Sequence, residues 1–247
     1  MERIELIRYL EQLLNSKDFK DYCPNGLQVE GNATVKNIVT GVTACQALLE
    51  VAVAKKADTV IVHHGYFWRG EEPCIVNTKY RRLATLIKHD LNLFAYHLPL
   101  DAHPVYGNNA QLGKYLDFQV TNIADAGLFY VGELKKAQTA NELQQYIAAR
   151  LQRVPQLIEG SNEKIKTIAW CTGSAQDFIE KAIDYNIDAY LSGEISERTF
   201  HLAKELKLNY FAAGHHATER YGIQALGEHI ATKFNLQVEF VDINNPV

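Results

Sequence analysis

Two stretches of this chain read alike, and that likeness limits the fold more than any single motif does. Offset by 130 positions, Lys36 to Asp58 aligns with Lys166 to Asp188, with identities at Lys36/Lys166, Ile38/Ile168, Gln46/Gln176, Glu50/Glu180, Ala52/Ala182 and Asp58/Asp188. Each stretch reads as strand, short polar turn, helix and the start of a further strand. The strands that come next also correspond, Leu91-Asn92-Leu93-Phe94-Ala95 with Leu208-Asn209-Tyr210-Phe211-Ala212. Alternating strands and helices make an α/β architecture, and the correspondence predicts two similar α/β units, residues 1–124 and 125–247, whose segments can intertwine. Shared strand and helix grammar produces identities at this level too, so it stands beside internal duplication as an account of them.

The periodicities place the elements. Ile4, Ile7, Leu10, Leu13 and Leu14 recur at helical spacing and predict an opening helix that ends near Asn15-Ser16. Cys23-Pro24-Asn25-Gly26 reads as a turn, with Asn-Gly suited to left-handed backbone. A strand from Lys36 to Val42 leads into a helix from about Ala44 to Lys56, with Thr43 placed to cap it. Val60, Ile61 and Val62 are β-branched with no polar alternation, so they predict a strand buried on both faces that ends at His63-His64. A helix near Lys79 to His89 precedes the strand Leu93 to Tyr96, which ends in His97-Leu98-Pro99-Leu100-Asp101-Ala102-His103-Pro104; the two prolines predict a loop there. Asn108-Asn109 begins a helix through Leu116.

In the second half we expect a strand at Leu128 to Leu134, a helix at Ala140 to Leu151 and a break at Val154-Pro155. Gly193-Glu194 then stands where the first half has His63-His64, and the next strand ends in Gly214-His215-His216-Ala217-Thr218-Glu219. A helix starting near His215 sets His215 and Glu219 on one face, four residues apart. A helix through Lys233 and a strand at Leu236 to Val241 close the chain.

Taken alone, two histidines at a strand end read as satisfied surface side chains. Successive strand residues point to opposite faces, so the pair serves one cleft only if the backbone turns, or else serves two neighbouring sites. Ligands of open α/β sheets gather at the carboxyl ends of strands, which is where His63, His64 and Asp101 fall in the first half and His215 and Glu219 in the second. A cleft between the halves suits all five. Imidazole and carboxylate without thiolate suit zinc, manganese, iron or nickel and do not distinguish among them. A carboxylate bridging two divalent ions at about 3.5–4 Å generates a hydroxide nucleophile near neutral pH, which is hydrolase chemistry. Tyr66, Phe67 and Trp68 follow the histidines and can stack a flat heterocycle, close a lid or form a subunit contact. Thr40-Gly41-Val42-Thr43 and Cys171-Thr172-Gly173-Ser174 precede helices and read as caps, since neither carries a Walker or dinucleotide fingerprint.

Charge and cysteine content narrow the remaining classes. The formal net charge is −4, from 25 basic and 29 acidic residues, with no Lys/Arg block, so a nucleic-acid partner is not indicated. Lys79-Tyr80-Arg81-Arg82 is a local basic patch that reads as the solvated face of a helix. Cys23, Cys45, Cys74 and Cys171 form no CxxC pair, which points to reduced thiols and away from a thiolate zinc site. With no apolar run of about 18 residues and no signal-peptide core, the expected location is the cytoplasm, without membrane insertion.

His63-His64, Pro99-Leu100-Asp101, Gly214-His215-His216-Ala217-Thr218-Glu219 and Asn25-Gly26-Leu27-Gln28 together resemble the YbgI or Nif-three-like family, the GTP cyclohydrolase type 2 homologues. The resemblance spans essentially the whole chain. It implies a duplicated α/β fold with mixed sheets and a dinuclear metal centre facing the interior of a toroid, a ring-shaped homohexamer. It implies two divalent ions per chain, His64 and Asp101 on one, His63 and His215 on the other, and Glu219 as the bridge. His97 and His216 lie outside that minimal set and read as hydrogen-bond partners that orient a ligand. Gly65 departs from the proline common in the family at that position, and the large inserted domain of longer members is missing.

The functional expectation is a dinuclear metal-dependent hydrolase of a small, purine-nucleotide-like substrate, cyclohydrolase-like by resemblance. Metal-bound hydroxide is the nucleophile, and Glu219 or His97 moves protons. The alternative is a non-enzymatic metal-bearing ring that binds a protein or nucleic-acid partner.

Overall fold

The computed structural model describes residues 1–247. In order, the chain forms α1 (Arg3–Leu14), β1 (Gly26–Val29), β2 (Asn37–Thr43), α2 (Gln46–Ala54), β3 (Thr59–His64), α3 (Asn77–Lys88), β4 (Asn92–Ala95), α4 (Leu98–Ala102) and α5 (Asn108–Tyr115). It continues through β5 (Gln119–Ala124), β6 (Phe129–Gln138), α6 (Ala140–Leu151), β7 (Gln156–Ile158), β8 (Ile165–Cys171), a run of 3-10 turns (Gln176–Tyr185), β9 (Ala189–Ser192), α7 (Glu197–Glu205), β10 (Asn209–Ala212), α8 (His215–Phe234) and β11 (Gln237–Phe240). Two compact units result, Met1–Leu100 with Ile223–Asn244, and Asp101–Gly222 with Asn245–Val247.

The first unit holds a five-stranded sheet of order β1-β4-β3-β2-β11, parallel except for β1. β3 lies at its centre, and this accounts for its unbroken apolar run. Val60 and Val62 pack with Leu48, Leu49, Leu83 and Leu86 from α2 and α3. Ile61 faces the other way, among Leu6 and Leu10 of α1 and Ile223, Leu226 and Ile230 of α8. A strand covered on both faces has no use for polar alternation.

The second unit holds a six-stranded sheet of order β5-β6-β8-β9-β10-β7, in which β8, β9 and β10 are parallel and the other pairings antiparallel. Trp170, Leu191 and Phe211 pack on one side with Leu112, Leu143 and Ile147. Ala169, Tyr190 and Tyr210 pack on the other with Ile179 and Ala203. The fold is therefore α/β with two mixed sheets. α6 begins and ends where its periodicity predicts, with Thr139 and Glu142 forming a capping box.

The two aligned stretches do equivalent work. Asp58 Oδ2 accepts from the amides of Lys36 and Asn37 at 2.8 and 2.9 Å, and Asp188 Oδ2 accepts from those of Lys166 and Thr167 at 2.9 and 2.8 Å. In both, an aspartate at the entry of one strand ties down the start of its parallel neighbour. The helices between differ, since residues 46–54 are α-helical while residues 176–185 wind as 3-10 turns.

Other expectations need correction. The compact units do not divide near residue 124, because β11 returns to pair with β2 and the second half of α8 fills the first unit's core. Thr43 does not cap α2: the helix starts later, behind Cys45, and Thr43 ends β2. Leu98–Ala102 is a one-turn helix rather than a loop. Pro99 sits in its first turn, where a missing amide breaks no helical hydrogen bond, so proline did not exclude helix there. β5 was not expected; its residues are mostly exposed and give only a weak strand pattern. Lys79 to Arg82 lie in α3 as the charge pattern suggested, with Lys79 3.2 Å from Glu71.

Candidate metal centre

In the first unit three imidazoles meet at the carboxyl ends of β3 and β4. The ligand nitrogens of His63, His64 and His97 all lie within 4.8 Å of one another, close enough to hold one ion. His63 and His64 occupy successive strand positions, yet their ring centroids are 4.4 Å apart with planes tilted by 45°. Each ring is held from behind. His63 Nδ1 donates to the Tyr96 carbonyl at 2.9 Å, His64 Nδ1 lies 3.1 Å from the Thr43 hydroxyl, and His97 Nδ1 donates to Asp21 Oδ1 at 2.7 Å. Thr43 and His64 are register partners across β2 and β3, so the sheet sets that contact.

Asp21 is more than a counter-charge. It also accepts from the amide of Tyr22 at 2.6 Å, from Leu98 at 3.0 Å and from Asn25 Nδ2 at 2.9 Å, while Asn25 Oδ1 accepts from the His97 amide at 2.8 Å. Burial opposes its charge, but the hydrogen bonds from His97 and Asn25 outweigh that and hold the carboxyl down to about 2. Cys23 Sγ lies within 4.8 Å of Asp21 and His97, but burial and then Asp21 push its thiol up to about 12. In the metal-free protein this thiol is protonated at neutral pH.

Of the three aromatics after His64, Tyr66 is buried and ties its hydroxyl to the Ala44 carbonyl at 2.7 Å. Phe67 is half exposed. Trp68 alone reaches the histidines, edge-on to His97 at 4.9 Å and 6.0 Å from His64.

In the second unit His215 opens α8 between two carboxylates. Its Nδ1 donates to Glu194 Oε1 at 2.6 Å, and its Nε2 lies 3.0 Å from Oε2 of Glu219, one turn on. Burial pulls the imidazole's pKa down, but Glu219 and Glu194 more than compensate and raise it to about 9. A site that holds an imidazolium between two carboxylates suits a cation, and a divalent ion can take the proton's place. Asp101, also buried, accepts at Oδ1 from Asn108 Nδ2 at 2.8 Å and from the Thr172 hydroxyl at 3.3 Å. The Cys171-Thr172-Gly173-Ser174 turn thus supplies a donor to the Asp101 carboxylate.

Neither His103 nor His216 belongs to a group of three potential metal donors. His103 Nδ1 accepts from the amides of Val105 and Tyr106 at 3.2 and 3.0 Å, and its ring stacks on Tyr106. It pins a turn, so His103→Ala is expected to leave bound metal unchanged by elemental analysis, and a marked loss would mean the ligand set is wrong. His216 is buried in the first turn of α8, where its amide donates to the Val247 backbone oxygen at 3.0 Å.

Sequence reasoning missed Asp21, Asn108 and Glu194 as partners. Asp21 sits in a stretch with no periodicity, and nothing local links it to His97. Glu194 was within reach, because the offset of 130 sets it against His64. The donor chemistry fits a divalent ion. His63, His64 and His215, like His97, each have Nδ1 beside a protein oxygen, so an ion held by His63, His64 or His215 would be met at Nε2.

The Duf34/NIF3 (NGG1p interacting factor 3) family model matches residues 1–246. A Salmonella typhimurium protein called GTP cyclohydrolase 1 type 2 homolog is 51% identical over 247 residues, covering 100% of both chains. A Yersinia pestis protein of the same name is 49% identical, again over 100% of both. Among solved structures, one described as protein ybgI of unknown function superposes with a TM-score of 0.98 at 50% identity and full coverage of both chains.

Proposed function

The chain belongs to the Duf34/NIF3 family, and on that premise we propose that it is a dinuclear metal-dependent hydrolase acting on a small, purine-nucleotide-like substrate. The observation that carries the metal reading is the shared anchoring of His63, His64 and His215 through Nδ1, together with the buried carboxylates Asp101 and Glu219. His64 and Asp101 would hold one ion and His63 and His215 the other, with Glu219 shared between them. Chain continuity supports bringing the two donor sets together. Asp101 follows Leu100 directly, four residues after His97, and α8 carries His215 and Glu219 before it enters the first unit at Ile223.

Bound ions supply Lewis acidity and acidify water at neutral pH. His97 takes up a proton, and the Asp21 carboxylate holds its Nδ1–H and stabilises the imidazolium that forms. Trp68, edge-on to His97, offers a face to a flat ring. The cyclohydrolase part of this reading draws on the relatives' name. We also assign the two units to an internal duplication, supported by the matched roles of Asp58 and Asp188.

The test is elemental analysis of the folded protein after chelation and reloading with zinc, manganese, iron or nickel, followed by a screen against GTP, other nucleotides and phosphoesters. We expect two ions per chain and turnover that stops on chelation. A folded protein that takes up no divalent ion would overturn the metal reading. Uptake without turnover of any substrate would favour a metal-bearing protein that binds a partner instead.

A further inference from the structure

We propose that Asn108 and Thr172 are positioning residues that bracket Asp101, so that this carboxylate meets a divalent ion through Oδ2 alone. The inference rests on the metal reading above. Asn108 is fully buried, and its amide orientation follows from its neighbours. The Gly222 amide can only donate, and it lies 3.1 Å from Asn108 Oδ1; the Asp101 carboxylate can only accept, and its Oδ1 lies 2.8 Å from Asn108 Nδ2. Asparagine supplies the one acceptor and one donor that this position needs, which neither aspartate nor leucine can do.

Thr172 completes the bracket from the end of β8, its hydroxyl donating to the same Asp101 oxygen at 3.3 Å. Asn109 locks the two together, since its Oδ1 accepts from the Thr172 amide at 2.9 Å and its Nδ2 donates to the Asp101 carbonyl at 3.3 Å. With two donors on Oδ1, both in-plane lone pairs of that oxygen are engaged, and coordination is directed through Oδ2.

The bracket also ties Asp101 to the helix that carries Glu219. Gly222 is one turn beyond Glu219 on α8, and a Cβ there would stand 2.2 Å from Asn108 Oδ1, so this close approach needs glycine. From the other side, the Gly173 amide donates to the Thr218 hydroxyl at 3.1 Å. Both carboxylates of this unit are thereby referred to one backbone frame. Neutral donors suit the task, because a cation at Asn108 or Thr172 would compete with the ion for the carboxylate's charge.

The experiment measures Zn2+ affinity by competition with a chromogenic chelator, alongside melting of the metal-free protein. Asp101→Asn keeps an oxygen for both donors and replaces Oδ2 with an amide nitrogen, so it should still fold and lose one Zn2+. Thr172→Val should weaken Zn2+ by about 10–100-fold, the usual range for an outer-shell partner, and Thr172→Ser should restore it. A purely structural role would lower melting without changing the affinity of the folded fraction. Wild-type Zn2+ affinity in folded Thr172→Val would overturn the bracket alone, whereas wild-type affinity in folded Asp101→Asn would remove Asp101 from the ligand set and the bracket with it. A wild-type protein that binds no Zn2+ would overturn the metal reading and the bracket with it.

Discussion

Gly173→Ala is expected to strip metal from a chain that still folds. Gly173 has φ +67°, and a Cβ built on it would stand 2.0 Å from Glu219 Oε1 and 3.2 Å from His215 Nε2. Left-handed backbone adds about 1–2 kcal/mol of strain for alanine. The steric conflict is resolved by moving the end of the Glu219 side chain, which is the carboxylate assigned to the bridge. Since Glu219 is only 2% exposed, that end has little room, and the displacement falls on the His215 contact at 3.0 Å. We expect destabilisation of about 1–3 kcal/mol by denaturant unfolding, in the range of ordinary packing and strain mutations, and a steep fall in bound ions by elemental analysis. Full metal content in folded Gly173→Ala would show that Glu219 does not need its present position.

Glu219→Ala should lower bound metal just as sharply without adding bulk. It removes the carboxylate assigned to both ions, and an undiminished two ions per chain would sink the bridging assignment. The same variant changes a pH dependence. In metal-free wild type His215 titrates at about 9 against an ordinary 6.5, with burial opposed by Glu219 and Glu194. A raised histidine pKa stabilises the fold fully below 6.5, and the benefit disappears as pH rises through about 9. Chelator-treated wild type should therefore melt at lower temperature at pH 9 than at pH 6, and Glu219→Ala should show less of this difference. Ions compete with that proton, so wild-type metal affinity should rise by about tenfold per pH unit per proton displaced until pH 9. A pH-independent affinity across this range would contradict it.

Several features were legible before any coordinates. The central strands β2, β3 and β4 and their counterparts β8, β9 and β10 follow from apolar runs with turn signals at both ends, and α6 follows from its period and cap. The pairing of His215 with Glu219 follows from a spacing of four on one helix. Proline misled at Leu98–Ala102, because a first helical turn tolerates it. Thr43 misled as well, since a residue at a strand end can cap the next helix or reach across the ladder, and only the pairing of β2 with β3 chose the latter.

Asp21 shows the limit most clearly. Its contact with His97 joins positions 76 residues apart, and that between Thr172 and Asp101 spans 71. Hydrophobic period, turn chemistry and helical spacing are written between near neighbours, so the sequence alone determined the α/β alternation, the buried strand ending in His63-His64 and the face of α8 that carries His215 and Glu219. Which polar groups stand behind each histidine, which donors meet the Asp101 carboxylate and where the units divide depend on side chains meeting across distant segments. Those contacts exist only once the sheets have closed and their cores have packed, and the tertiary structure alone decided them.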